Sequence, residues 1–234
     1  MLFAGCRTDN QTPKAFNFAQ SNALVEDIEQ LITSGVRHID ASVITTSLNC
    51  DFSQAEAVFI EVDTPDNIND SLELVKHIRL NNQAACIFIL VTHNKSFTSI
   101  NYYLAGADHC IKLPADPLEK SALLSRTFAD SHWQTTIQLN LDRTRLLLSS
   151  TSKKLEISYT EMTIIDALMH APQHVLSQDS IAKTLDPNII FYDPRALEKT
   201  ISRLTTKIKK AYSLELIVSV RAFGYRLRRG TVTG

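Results

Sequence analysis

The chain has 234 residues, 44% of them hydrophobic, and a net charge of −1. That length sets one large or two small domains, and that much apolar material excludes a chain too polar to build a core. The apolar run Ile87–Val91 is strand-sized, well short of the roughly 18 residues of a membrane helix, so a soluble, cytoplasmic protein is expected. The balanced charge hides a division. Residues 1–132 carry 9 Lys and Arg against 16 Asp and Glu, a net of −7, and residues 133–234 carry 15 against 9, a net of +6. An acidic module joined to a basic one points to an anionic partner for the second, nucleic acid above all.

The four cysteines, Cys6, Cys50, Cys86 and Cys110, form no CxxC and fit a reducing compartment better than a disulfide framework. Phe3-Ala4-Gly5-Cys6 resembles a lipoprotein cleavage box, but neither a basic leader nor an apolar core precedes it, so no lipid anchor is expected. Residues 1–13 are polar and are taken as an N-terminal extension.

Lys14–Phe18 predicts a strand, and Leu24–Ile32 has apolar residues at helical spacing with Gly35 just beyond it. Val36–Val43, Ala57–Val62 and Cys86–Val91 predict further strands, with a helix over Leu72–Leu80 between the last two. Strands alternating with helices indicate a parallel α/β sheet. A short strand follows around His109–Ile111. Asp116-Pro117-Leu118-Glu119 then starts a helix to about Phe128, with Asp as cap and Pro in the first turn. The linker is placed at 129–136, where Trp133 is expected to anchor one domain against the other.

The second half predicts strands at Ile137–Leu141, Arg145–Leu148 and Leu155–Ser158. Ser158-Tyr159-Thr160-Glu161 is a capping box opening a helix to about Met169. Ser177 caps a helix to about Leu185, and Asp193-Pro194 opens a third to about Lys210. Leu216–Val220 and Tyr225–Arg228 form a hairpin around Ala222-Phe223-Gly224. Strands, three helices and a closing hairpin describe a winged helix-turn-helix.

In PRALEKTISRLTTKIKK, Leu197, Ile201, Leu204 and Ile208 share one face. Lys199, Arg203 and Lys207 recur every fourth residue on another, beside Thr200 and Thr206. Long cationic side chains in a row match phosphates, and Arg or Thr also reach base edges. A solvated basic face is the alternative. The hairpin, bearing Arg221, Arg226, Arg228 and Arg229, favours DNA by supplying a second cationic contact.

ISYTEMTIIDAL, HVLSQDSIAKTL, RALEKTISRLTTKIKK and IVSVRAFGYRL resemble, in order and spacing, the effector domain of OmpR/PhoB-type response regulators over about residues 137–228. The resemblance implies a receiver-like (flavodoxin-like) domain at 14–128 and a winged-helix domain at 137–230. It implies DNA contacts from Arg195, Lys199, Thr200, Arg203, Thr206, Lys207, Ser219, Arg221 and Tyr225, and RNA polymerase contact through the loop 186–193. A homodimer through about residues 97–128 would occupy tandem half-sites on double-stranded DNA. Thr200 and Thr205 replace residues that are often His and cationic in the family, which bears on base choice.

The acidic half resembles a receiver whose chemistry is lost. Gly106-Ala107-Asp108 matches the family's turn, but Ala19-Gln20-Ser21 stands where two metal-binding acids belong. Glu61 occupies the phosphoacceptor position in AVFIEVDTPDN. Thr92 is kept, Lys112 is displaced by one residue before Leu113-Pro114, and Cys110 replaces the switch aromatic. Glu61 is then a glutamyl-phosphate site, a standing mimic of phospho-aspartate, or a polar remnant at a strand end. A transcription regulator with a phosphorylation-independent receiver is expected, with no enzyme activity, cofactor or metal and no required sensor kinase. The alternative is a phosphorylation-dependent regulator using Glu61 or Asp63 with Mg²⁺. His170 and His174 flank Pro172 and are not taken as a metal pair.

Overall fold

The computed structural model describes residues 15–32, 36–38, 51–64, 67–92, 97–131, 133 and 137–234. The lipoprotein-like box, Cys6, Cys50, Asp66 and much of the linker lie outside them.

The first domain is a five-stranded parallel sheet in the order β2-β1-β3-β4-β5. Its strands are β1 (Ala15–Phe18), β2 (Val36–His38), β3 (Ala57–Val62), β4 (Cys86–Val91) and β5 (His109–Lys112). The helices are α1 (Asn22–Leu31), α2 (Asn67–Asn81), α3 (Ser99–Ala105) and α4 (Pro117–Ala129). β3 and β4 are buried along their whole length, as near-continuous apolar strands covered on both faces must be. Val58, Ile60 and Val62 pack with Leu74, Val75 and Ile78 of α2 on one face. Ala57 and Phe59 pack with Leu24 and Ile28 of α1 and Leu124 and Phe128 of α4 on the other. This is the flavodoxin-like order, in which sites gather at the carboxyl ends of the strands.

Trp133 lies edge-on to Phe59 and its indole N–H donates to Glu56 at 3.3 Å. It therefore fastens the start of the linker to the first domain.

The second domain opens on β6 (Leu139–Asp142), β7 (Leu147–Ser149) and β8 (Lys154–Glu156), joined at its far edge by β12 (Val232–Thr233) parallel to β6. β12 lies past the boundary expected at residue 230. Next come α5 (Tyr159–His170), capped by Ser158 and Glu161 in the reciprocal box, and α6 (Gln178–Leu185), capped by Ser177. α7 (Pro194–Tyr212) has Asp193 as cap and packs Leu197, Ile201, Leu204, Ile208 and Tyr212 into the core. A strand not foreseen, β9 (Val175–Ser177), joins the hairpin β10 (Ile217–Val220) and β11 (Gly224–Leu227) in the order β10-β11-β9. β9 is too short for its alternation to stand out in sequence.

The two domains touch where the 3₁₀ turn Pro172–His174 and the end of β11 meet α2, α3 and the Gly106–Asp108 turn. Arg226, Arg228 and Arg229 are buried, so the expected second cationic DNA contact from these three does not form; Arg221 remains exposed. Burial and then the Arg229 charge hold the His174 imidazole below its usual pKa.

Gly224 fixes how closely β11 approaches β9. A Cβ there would stand 2.1 Å from the Leu176 carbonyl oxygen and 2.8 Å from Ser177 Cα, both backbone. Gly224→Ala is therefore expected to destabilise the winged helix by about 1–3 kcal/mol, measured by thermal unfolding. An unchanged melting temperature would mean that β9 and β11 separate without cost.

Candidate nucleic-acid interface

α7 is amphipathic by construction. Its five buried residues recur three or four positions apart, which turns the remaining side chains outward. Arg195, Lys199, Ser202, Arg203 and Thr206 are exposed along that outer side, and Thr200 is half-buried. The Asp193 carboxylate accepts from Arg195 N at 2.9 Å, satisfying an otherwise unpaired amide at the helix start. Thr200 and Thr206 donate their hydroxyls to the carbonyls of Ala196 and Ser202 at 2.9 and 2.8 Å. Each hydroxyl oxygen keeps lone pairs for a donor from outside.

Lys207 differs from the other cations of the helix. Its ammonium donates to Glu161 Oε2 at 2.8 Å, the oxygen that also accepts from Ser158 N at 2.8 Å in the α5 capping box. Lys207 thus joins α7 to the start of α5 and is half-buried.

The hairpin stands beside this helix. Arg221 is exposed at its tip, next to Ala222 with φ 58°, and Ser219 is exposed on β10 opposite half-buried Tyr225. The Phe223 carbonyl accepts from Gln178 N at 3.1 Å, tying the tip to the start of α6. Gln178 Nε2 donates to Glu198 of α7 at 3.2 Å. Burial, then the Glu198 charge, raises the Tyr225 pKa. Gln178 and Glu198 therefore link wing, α6 and recognition-helix candidate, a role without a sequence signal, since both sit among ordinary helix surface residues.

Between α6 and α7, Ile190 and Phe191 are 85% and 91% exposed, while Tyr192 donates to Asp179 at 2.6 Å. The loop thus offers two large apolar side chains on an anchored frame.

At the carboxyl end of the first domain's sheet, Glu61 is only 4% exposed. Its Oε2 accepts from Gln20 N at 2.7 Å and Ser21 N at 3.0 Å. These are amides at the start of α1, where Ser21 makes no side-chain cap of its own. The carboxylate supplies the negative charge that a helix N-terminus favours, from a strand forty residues away. The Thr92 hydroxyl makes no hydrogen bond among the described residues, so the two are not joined. Asp63 lies just past the strand and is half-buried, and Lys112 is exposed at the end of β5. Among the described residues no group of three His, Cys, Asp or Glu is placed to hold a metal ion. No helix of the described residues is long and apolar enough to cross a membrane.

An exposed basic helix beside a cationic-tipped hairpin is the arrangement of a winged-helix DNA-binding module. Residues 152–227 match the family described as transcriptional regulatory protein, C terminal. The chain is 24% identical over 175 residues to the transcriptional regulatory protein PhoP of Escherichia coli K12, covering 73% of this chain and 78% of that one. The virulence transcriptional regulatory protein PhoP of Salmonella typhimurium LT2 is 22% identical over 175 residues, covering 73% and 77%. Among solved structures, the C-terminal domain of the nisin resistance regulator NsrR is 32% identical, with 43% of this chain, 97% of that one and a TM-score of 0.34. The Thermotoga maritima regulator DrrB is 14% identical, covering 93% and 99% with a TM-score of 0.42. Over residues 152–227, which hold α5, α6, α7 and the hairpin, the chain is thus similar to the C-terminal domain of transcriptional regulatory proteins.

Glu61→Ala would leave two amides of the α1 start without their acceptor. Chemical unfolding is expected to register a loss of about 1–3 kcal/mol, with smaller loss in Glu61→Gln, which keeps an acceptor oxygen. Equal stability of Glu61→Ala and wild type would contradict the capping role.

Proposed function

We propose that the protein binds promoter DNA as a dimer on adjacent half-sites, through a winged helix whose receiver-like partner domain works without phosphorylation. The observation that carries the DNA-contact assignment is the shared exposure of Arg195, Lys199 and Arg203 on α7 with Arg221 at the hairpin tip. α7 would enter the major groove. Arg195, Lys199 and Arg203 would meet phosphates or base edges, with Thr200 and Thr206 beside them. Ser219, Arg221 and Tyr225 would address the flanking backbone or minor groove. Lys207, held by Glu161, acts in this reading chiefly by setting the helix on its domain.

Phosphorylation independence rests on Glu61. A carboxylate already bonded to two backbone amides is engaged as a structural group, and its bonds run toward α1 rather than to Thr92. The sequence Ala19-Gln20-Ser21 brings no carboxylate to this end of β1. This arrangement favours the structural role over the phosphate mimic.

Dimerisation is assigned within residues 97–128. Tyr103 and Asp108 of this stretch already contact the second domain of the same chain, and burial and the neighbouring Arg226 charge act on Cys110 there. The outer side of α4, with Leu118 82% exposed, is the part left for a second copy. RNA polymerase is assigned to the loop bearing Ile190 and Phe191.

The test is a footprint of the untreated protein on DNA upstream of its own coding sequence, followed by titrations over a range of salt. Two adjacent protected half-sites are expected. Arg203→Ala and Arg221→Ala should weaken binding, each lowering the slope of log affinity against log salt by about 0.9 if it meets one phosphate. Folded variants that bind with wild-type affinity and slope would refute the assignment.

A further inference from the structure

We propose that the two domains are locked together by a buried ion cluster centred on Asp108, and that this locked form is the one that binds DNA; the second clause rests on the DNA-binding reading above.

Asp108 is 2% exposed and serves both domains. Its Oδ2 accepts from Ile87 N at 2.9 Å and from the Arg79 guanidinium. Its Oδ1 accepts from Arg229 Nε of the second domain at 3.3 Å. Arg229 Nη2 donates onward to Gln173 Oε1 at 2.9 Å. Arg79 is itself fixed by the carbonyls of Gly106 and Ala85, each at 2.7 Å. Beside this cluster the Arg226 guanidinium lies 5.1 Å over the Tyr103 ring. Two buried guanidinium groups, one from each domain, thus share one buried carboxylate, and buried charges of this kind are tolerated only when paired and hydrogen-bonded.

The backbone is shaped to the same contact. Gly106 has φ 115°, and a Cβ there would meet Arg79 Cγ at 2.4 Å and Gln173 Oε1 at 2.9 Å. Gln173 and His174 both take left-handed conformations, with φ 54° and 61°. Non-glycine residues hold such angles where the surroundings over-determine them, and here the surroundings include the other domain.

The seam spares the DNA side. It grips β11 beyond its centre, at Arg226 and onward to Arg229, whereas Arg221 sits at the opposite end of the hairpin. Arg195, Lys199 and Arg203 are all exposed with the seam closed. Opening the domains is therefore not required to uncover the helix. The receiver-like domain is a fixed mount for the wing.

Small-angle scattering and thermal unfolding of the full chain test the lock, and titration with the footprinted duplex tests its meaning. Wild type should scatter as one compact particle and melt in one transition. Arg229→Ala, which leaves Asp108 its Arg79 and Ile87 bonds, should enlarge the radius of gyration and split the melt into two. Tyr103→Ala is a second variant expected to change both in the same direction. DNA affinity of the opened variants should not exceed that of wild type by more than about threefold. Compact, single-transition variants, or a wild type that already scatters as two loose bodies, would overturn the lock. A gain of more than about threefold in affinity on opening would show that docking inhibits, and would overturn the second clause. A wild type that is compact but binds no DNA would refute the DNA-binding reading and leave the lock standing.

Discussion

A buried carboxylate must be answered by donors, and the architecture of this chain is arranged around that requirement at Asp108. Removing one partner of a buried ion pair typically costs about 3–5 kcal/mol, because the remaining charge is stranded away from water. Asp108 meets its requirement with Arg79 and Ile87 from its own domain and with Arg229 from the other. The same bonds therefore stabilise the sheet edge and the inter-domain contact. They also account for the burial of Arg229 in the positively charged second half of the chain.

The parallel sheet separates two kinds of end. Asp108, Ile87 and Ala85 lie at the amino ends of β5 and β4, whereas Glu61 and Thr92 lie at the carboxyl ends of β3 and β4. The six residues of β4 span about 20 Å at roughly 3.3 Å per residue. The carboxyl end is where sites of this fold gather. Here it is occupied by a carboxylate that caps α1, and the Asp108 ion cluster lies at the opposite end of the strands. In the function proposed above, a receiver-like domain arranged in this way acts as a mount rather than as a phosphate relay. The α7 face and the wing tip, proposed above as the DNA-binding surface, are both exposed in this arrangement.

Much of this was legible in the chain. The apolar periods of α1, α2 and α7, the caps Asp116, Ser158, Ser177 and Asp193, and the uninterrupted strands at 57–62 and 86–91 carry their structure locally. The exposure of Lys199 and Arg203 follows from the same spacing that buries Leu197 and Ile201. What the sequence concealed depends on contacts distant along the chain. Glu61 bonds amides forty residues away, and Arg229 reaches Asp108 across 121 residues. Run-by-run charge counting could not distinguish Arg221, exposed at a turn, from Arg226, Arg228 and Arg229, buried against another domain. Lys207 likewise has the spacing of a phosphate contact and the bond of a structural one.

The account's central claim is that the DNA-binding form needs no phosphoryl group. The most direct measurement treats the full chain with a small-molecule phosphodonor and Mg²⁺, reads its intact mass, and titrates treated and untreated protein into the same duplex. The account predicts no phosphoryl mass gain and equal affinity. A phosphoryl adduct mapped to Glu61 or Asp63, with tighter DNA binding by the treated protein, would contradict it.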